Sequence, residues 1–235
     1  MVRVAVLGAA GRMVSTVCDA VRDDPETELV AEVDAHDSLE AVLDAGADVA
    51  VEFTLPHSVK RNTAWLLERG VHTVVGATGL SEADVEDLGR LTGPANLFVA
   101  PNFAIGAVLM MRFAEQAARY LPDVEITELH HERKVDSPSG TALRTARLIS
   151  DARRGTPARA DDDPARGLLV EGVPVHSVRL PGLMASQEVV FGAQGQTLTI
   201  RHDSLDRSSF MPGVLLAVKR VGQMPGLTVG LEALL

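Results

Sequence analysis

The sequence predicts an α/β chain: a domain built on a parallel sheet, and a second α+β domain with a mixed or antiparallel sheet. Three observations carry this. From Val2 to Ala100, short runs rich in β-branched residues alternate with segments of helical apolar spacing, the order that builds a parallel sheet. After Tyr120 and Pro122 the alternation stops, and strand candidates follow one another across short glycine-bearing turns, as in an antiparallel sheet. A last helix near Val214–Val221 and a strand at Leu227–Leu231 are expected to return to the first domain. The expected division is 1–104 with 206–235 for the first domain and 105–205 for the second.

Composition sets the limits. With 235 residues, 46% of them hydrophobic, the chain can bury a full core and has room for two domains. A net charge of -10 with no Lys/Arg cluster argues against nucleic acid as a partner, because phosphate backbones are held by clustered cations. The single cysteine, Cys18, excludes an intramolecular disulfide, and no paired Cys/His spacing suggests zinc; no metal is expected. The apolar run at the N-terminus is too short for a secretory signal, and nothing approaches transmembrane length. A cytoplasmic protein without a membrane partner is expected.

Val2–Leu7 (VRVAVL) reads as the first strand, and Gly8-Ala9-Ala10-Gly11-Arg12-Met13 as a tight turn opening a helix. Glycines there let the backbone approach a pyrophosphate, and the helix N-terminus stabilises its charge. The next strand, Glu28–Val33, ends at Asp34, whose carboxylate can accept from ribose hydroxyls of an adenine dinucleotide. Strand, turn, helix, strand and acidic terminus make the first domain Rossmann-like. Arg12 could hold a 2′-phosphate where Asp34 would repel one, so NADH and NADPH both stay open.

Val49–Phe53, His72–Val75 and Leu97–Ala100 continue the sheet, with helices at Ser58–Arg69 and after the Ser81/Asp84 capping-box pattern. Ligands of parallel sheets sit outside the carboxyl ends of the strands. That rule sets Gly8 to Met13, Asp34, Thr54, Gly76 to Gly79 and Ala100 to Phe103 along one rim. Asn102 has a plainer reading as the cap of a helix over Ile105–Tyr120.

In the second domain, strands are predicted at Val124–His131, Val175–Leu180, Ser186–Phe191 and Thr197–His202, a helix at Thr141–Arg154, and a surface loop over Gly155–Val173. The chemistry concentrates in Glu128–Ala142, ELHHERKVDSPSGTA. On a strand, His130 and His131 point to opposite faces, which disfavours a shared metal ion. Extended backbone would hold His130 and Lys134 about 13 Å apart, so the chain must turn near Arg133 for both to meet one substrate. Ser139-Gly140-Thr141 at a helix start supplies N–H and hydroxyl donors to an anion, and a carboxylate suits it. A solvated strand end followed by an ordinary turn remains the bland alternative for the same residues.

The stretch ELHHERKVDSPSGTA resembles the signature of the 4-hydroxy-tetrahydrodipicolinate (dihydrodipicolinate) reductases, and the likeness extends over VAVLGAAGRM, VEFTLP, VVGATGL, APNFAIGAVLMM and RHDSLDRSSFMPGVLLAV. It is most similar to the shorter actinobacterial members. Val14 stands where the family has glycine, Ala77 where threonine and Ser137 where alanine is usual. The resemblance implies nicotinamide-dependent reduction of a cyclic dicarboxylate, with loss of water, in diaminopimelate and lysine synthesis. It implies His130 and Lys134 as proton carriers, and His131, Gly140 and Thr141, with Ser139 beside them, as substrate contacts. Cofactor contacts would be Gly8, Ala9, Ala10, Gly11, Arg12, Met13, Asp34, Gly76, Ala77, Thr78, Ala100, Pro101, Asn102 and Phe103. NADH and NADPH would both serve, and the assembly would be a homotetramer. Two other classes fit parts of the pattern: a related oxidoreductase acting on another small amino or dicarboxylic acid, and a dinucleotide sensor without catalysis.

Overall fold

The computed structural model describes residues 1–8, 11–153 and 164–235. The chain divides into two compact units, Met1–Ile105 with Arg207–Leu235, and Gly106–Asp206.

The first unit runs β1 (Val2–Leu7), α1 (Arg12–Asp23), β2 (Thr27–Val33), α2 (Glu40–Asp44), β3 (Val49–Glu52), α3 (Pro56–Glu68), β4 (His72–Val75), α4 (Glu82–Gly89) and β5 (Leu97–Val99). The second runs α5 (Ile105–Ala118), which starts at the division, then β6 (Asp123–His130), α6 (Gly140–Ala152), β7 (Leu168–Val170), β8 (Val173–Arg179), β9 (Ala185–Ala193) and β10 (Gln196–Ser204). Then α7 (Met211–Arg220) and β11 (Leu227–Val229) complete the first.

The six strands of the first unit pair in parallel, in the order β11-β5-β4-β3-β1-β2. Val4 to Leu7 and all of β3 are buried, as expected of central strands covered on both faces. After β2 the chain crosses back to the other side of β1, and this switch point opens the rim. Lys219 Nζ on α7 donates to Asp24 Oδ2 and Glu26 Oε2, both at 2.7 Å, tying the C-terminal helix to the turn between α1 and β2. Cys18 is buried, and that burial pushes its thiol up to about 11, so it packs as a small hydrophobe.

The capping box is present: Ser81 Oγ accepts from Asp84 N at 3.1 Å, and Ser81 N donates to Asp84 Oδ2 at 3.0 Å. Ser81→Ala is expected to lower stability by about 1 kcal/mol and the melting temperature by roughly 2–4 °C, read by thermal denaturation.

The second unit holds a five-stranded mixed sheet, β10-β9-β6-β8-β7. Only β6 and β8 are parallel, and α6 lies between them in the chain, as such a crossover requires. Along β6, Val124, Ile126 and Glu128 are buried while Glu125 and Thr127 are half-exposed, the alternation of a sheet with one covered face.

Several elements differ from expectation. α3 begins at Pro56 rather than Ser58, and α7 at Met211 rather than Val214, because proline fits the first turn of a helix. The short α2 was not predicted, since five residues are too few to show a helical period. The expected surface loop over 155–173 holds a strand instead, β7, antiparallel to β8; its residues 155–163 lie outside the described residues.

Candidate active site

Part of the rim of the first unit lines a cavity of about 640 Å³, with Leu7, Gly8, Gly11, Asp34, Thr54 and Arg61 among its walls; Gly76 to Gly79 and Ala100 to Phe103 do not line it. Gly8 has φ +94°, and a Cβ there would meet Phe53 O at 3.2 Å; only glycine takes this backbone without strain. Gly11 is the N-cap of α1, whose first turn carries no acidic residue and no side-chain cap. Its first-turn N–H groups are thus open to an anion. Asp34 follows β2, and its N–H donates to Asp37 Oδ2 at 2.9 Å. The donor set of glycine turn, helix start and carboxylate fits a dinucleotide.

The other rim residues differ in what they present. Gly76 N and Ala77 N donate to Glu52 O at 3.1 and 3.2 Å, and a Cβ on Gly76 would lie 2.4 Å from the Phe53 ring. Thr78 and Pro101 are exposed, Met13 half-buried, and Ala100 and Phe103 buried. The Phe103 ring packs against Phe53 and Phe98 at 6.0 and 6.2 Å, so its side chain belongs to the core. Asn102 Oδ1 accepts from Ala104 N at 2.8 Å, a local turn ahead of α5. Ala9 and Ala10 lie outside the described residues, and Arg12 opens α1. Sequence reasoning missed Glu52, fully buried at the end of β3. Desolvation pushes its carboxyl up although Thr54 N and Asn62 Nδ2 donate to it, at 2.7 and 3.2 Å. It shapes the loop that carries Thr54.

In the second unit, β6 ends at His130. The chain turns over Glu132 and Arg133, where Lys134 N donates to His131 O at 3.1 Å, so His130 and Lys134 are not held along one extended strand. His131 Nδ1 is buried without a hydrogen-bond partner, an orphaned atom that a ligand can satisfy. Lys134 Nζ donates to both carboxylate oxygens of Asp136 at 2.7 Å, and this holds the Asp136 carboxyl below its ordinary range. Ser139 caps α6, its Oγ accepting from Ala142 N at 3.2 Å. Gly140 opens the helix with no heavy atom within 4 Å of where a Cβ would sit, and no acidic residue occupies the first turn. The helix start therefore offers N–H groups to an anion with room to approach.

Two residues given no role from the sequence bear on this stretch, Glu128 at its start and Arg179 from β8. Glu128 is fully buried. It accepts from His130 Nδ1 and from both terminal nitrogens of Arg179, at 2.7 and 3.0 Å. Burial opposes its charge, yet the hydrogen bonds from His130, Arg179 and Ser177 outweigh it and hold the carboxyl at about 2. Arg179 also donates to Asp136 O at 2.8 Å. A connected polar chain thus runs His130–Glu128–Arg179–Asp136–Lys134. The available signal was that Glu128 stands two residues before His130, which shares a strand face with it. Among the described residues, no group of three or more His, Cys, Asp and Glu could hold a metal ion.

Comparison with known proteins agrees over the full length. The family model for the N-terminus of dihydrodipicolinate reductase matches residues 2–103, and that for its C-terminus matches residues 106–235. The 4-hydroxy-tetrahydrodipicolinate reductase of Nocardia farcinica is 56% identical, over 100% of this chain and 98% of that one. The one from Mycolicibacterium vanbaalenii is 52% identical over 99% and 98%. Among solved structures, the dipicolinate-bound dihydrodipicolinate reductase from Paenisporosarcina sp. TG-14 superposes with a TM-score of 0.88 at 39% identity, covering 100% of both chains. Both units match in sequence and the whole chain matches in fold, and on these grounds the chain belongs to the dihydrodipicolinate reductase family.

Proposed function

We infer that the chain reduces 4-hydroxy-tetrahydrodipicolinate to tetrahydrodipicolinate, with loss of water, as an NAD(P)H-dependent oxidoreductase of diaminopimelate and lysine synthesis. The observation that carries this reading is the match of the family's two models to both units, 2–103 and 106–235. The polar chain from His130 to Lys134 and the open helix start at Gly140 support it.

A bound nicotinamide dinucleotide supplies the hydride. The residues proposed to hold it are Gly8 to Met13, Asp34, Gly76 to Thr78 and Ala100 to Phe103. His131, Ser139, Gly140 and Thr141 are proposed to hold the substrate's carboxylates, which the N-terminus of α6 and the nearby cations stabilise. One hydride and one proton enter the ring and one water leaves, so a proton carrier is needed. His130 or Lys134 supplies that proton, and either cation offsets the charge of a dianionic ring.

Both cofactors are proposed to serve. Asp34 suits ribose hydroxyls and disfavours a 2′-phosphate, while Arg61 lines the same cavity and offers a compensating guanidinium. A homotetramer in the cytoplasm, assembled through the second unit, is the family expectation. The nine-residue edge strand β10, mostly exposed, supports association, since unpaired strand edges seek partners.

The test is a coupled assay on the product of dihydrodipicolinate synthase, following loss of NADH and NADPH absorbance separately. Turnover with both is the expected result, and turnover with neither would overturn the reading. In the same assay Asp34→Ser should raise the NADPH-to-NADH ratio of kcat/KM by about tenfold, by removing a like charge from the phosphate's neighbourhood.

A further inference from the structure

We propose that Glu128, clamped by Arg179, is a positioning residue that holds His130 with its proton on Nδ1, leaving Nε2 as the atom that carries the catalytic proton. This rests on the functional reading above and deepens it by assigning the proton to one atom.

The placement follows from strand geometry. Glu128 and His130 are two residues apart on β6 and share the face that α6 covers. In the β6–β8 register, Ser177 stands opposite Glu128 and Arg179 opposite His130. The guanidinium forks onto the carboxylate, one nitrogen to each oxygen, at 2.7 Å to Oε1 and 3.0 Å to Oε2. Oε2 also receives His130 Nδ1. A carboxylate with no exposed surface would be driven to its neutral form if alone; a bidentate guanidinium keeps it an anion.

An ionised carboxylate offers only acceptors. The imidazole must therefore donate from Nδ1, and Nε2 is the nitrogen whose protonation can change during turnover. Across the paired strands, Arg179 is the charged residue set opposite the ring. β9 sets Ala185 opposite His130 and Gln187 opposite Glu128, and the buried face of α6 is Ala142, Thr145, Ala146 and Ile149. The turn that follows carries His131, Glu132, Arg133, Lys134 and Asp136, in which Glu132 pairs with Arg133 and Lys134 with Asp136.

When the ring of the substrate accepts a hydride, the Nε2–H bond breaks with its electron pair staying on the imidazole. The proton goes to the electron-rich ring carbon, and His130 is left neutral with Nδ1–H still on Glu128. Arg179 holds the second carrier in the same frame: through Asp136 O it fixes the turn that presents Lys134.

The experiment is Glu128→Gln in the full-length enzyme. The amide offers one acceptor oxygen where the carboxylate offers two and carries no charge, so the fork to Arg179 and the bond from Nδ1 cannot both be kept intact. The expected result is a fall in kcat of about a hundredfold, with KM for the ring substrate and NADH affinity each within about twofold of the parent. Long-range ¹H–¹⁵N spectra of histidine-labelled protein should show His130 protonated on Nδ1 in the parent at alkaline pH. Arg179→Lys, which keeps the charge and loses the fork, should fall between the two in kcat. A folded Glu128→Gln enzyme with kcat within threefold of the parent overturns the proposal. So does a parent spectrum with His130 protonated on Nε2, which needs no variant to fold. If the parent itself lacks reductase activity, the functional reading fails; if the parent is active and the variant unaffected, only the positioning role fails.

Discussion

Replacing His130 and Lys134 together, with Gln and Met, should lower kcat by about a thousandfold while leaving NADH affinity within about twofold. One positioned proton carrier is worth roughly 10²–10⁴ in rate, and two groups serving one proton transfer are not additive. The loss should therefore be of the order of a single carrier rather than the product of two. Both residues lie in the second unit, whereas the glycine turn, Asp34 and the cavity lie in the first, so cofactor affinity is expected to survive. Steady-state kinetics and a fluorescence titration with NADH measure the two quantities. Near-normal turnover in the double variant would remove the assignment of both residues. The single variants divide the roles: the carrier that matters more loses kcat, and the one acting mainly as a counter-charge loses KM.

The second large effect is on stability. Gly213, in the first turn of α7, sits where a Cβ would lie 2.0 Å from Phe103 O and 3.0 Å from a Leu231 methyl. Helical propensity favours alanine at such a position, but the obstacle is backbone, which a side-chain rotation cannot relieve. Gly213→Ala is thus expected to destabilise the first unit by about 2–3 kcal/mol through overpacking, lowering the melting temperature by roughly 5–10 °C. Because Phe103 follows β5 at the rim, NADH affinity should weaken as well. Scanning calorimetry with and without NADH reads both effects. An unchanged melting temperature would mean that α7 shifts freely away from Phe103.

The parallel sheet was legible because its strands announce themselves locally. VRVAVL, VAVE and HTVV are short β-branched runs ended by turn residues, and their buried position on both faces follows from that composition. The capping box of α4 was legible for the same reason, since serine and its carboxylate partner are three residues apart. In the site, the His-His pair, the lysine and the Ser-Gly-Thr turn could be singled out by type and spacing. The resemblance to a family assigned them chemistry that spacing alone left open.

Glu128, Arg179 and Glu52 could not be found that way. A glutamate inside a strand reads as a solvent-facing residue, and here two of them are fully buried. Nothing near Glu128 in the chain announces its cation, which comes from a strand 51 residues later. Strand β7 was hidden likewise, because three residues carry too little pattern.

By itself the sequence determined the strands of the parallel sheet and the longer helices, and it marked glycine turns, helix starts and proton-carrying side chains as candidates. Those properties depend on neighbours a few residues apart. Only the tertiary structure set the Glu128 carboxylate against His130 Nδ1, and Arg179 against both that carboxylate and the turn that carries Lys134. The deciding contact is the register of β6 against β8, which sets Arg179 opposite His130 and so converts a buried carboxylate into a fixed acceptor.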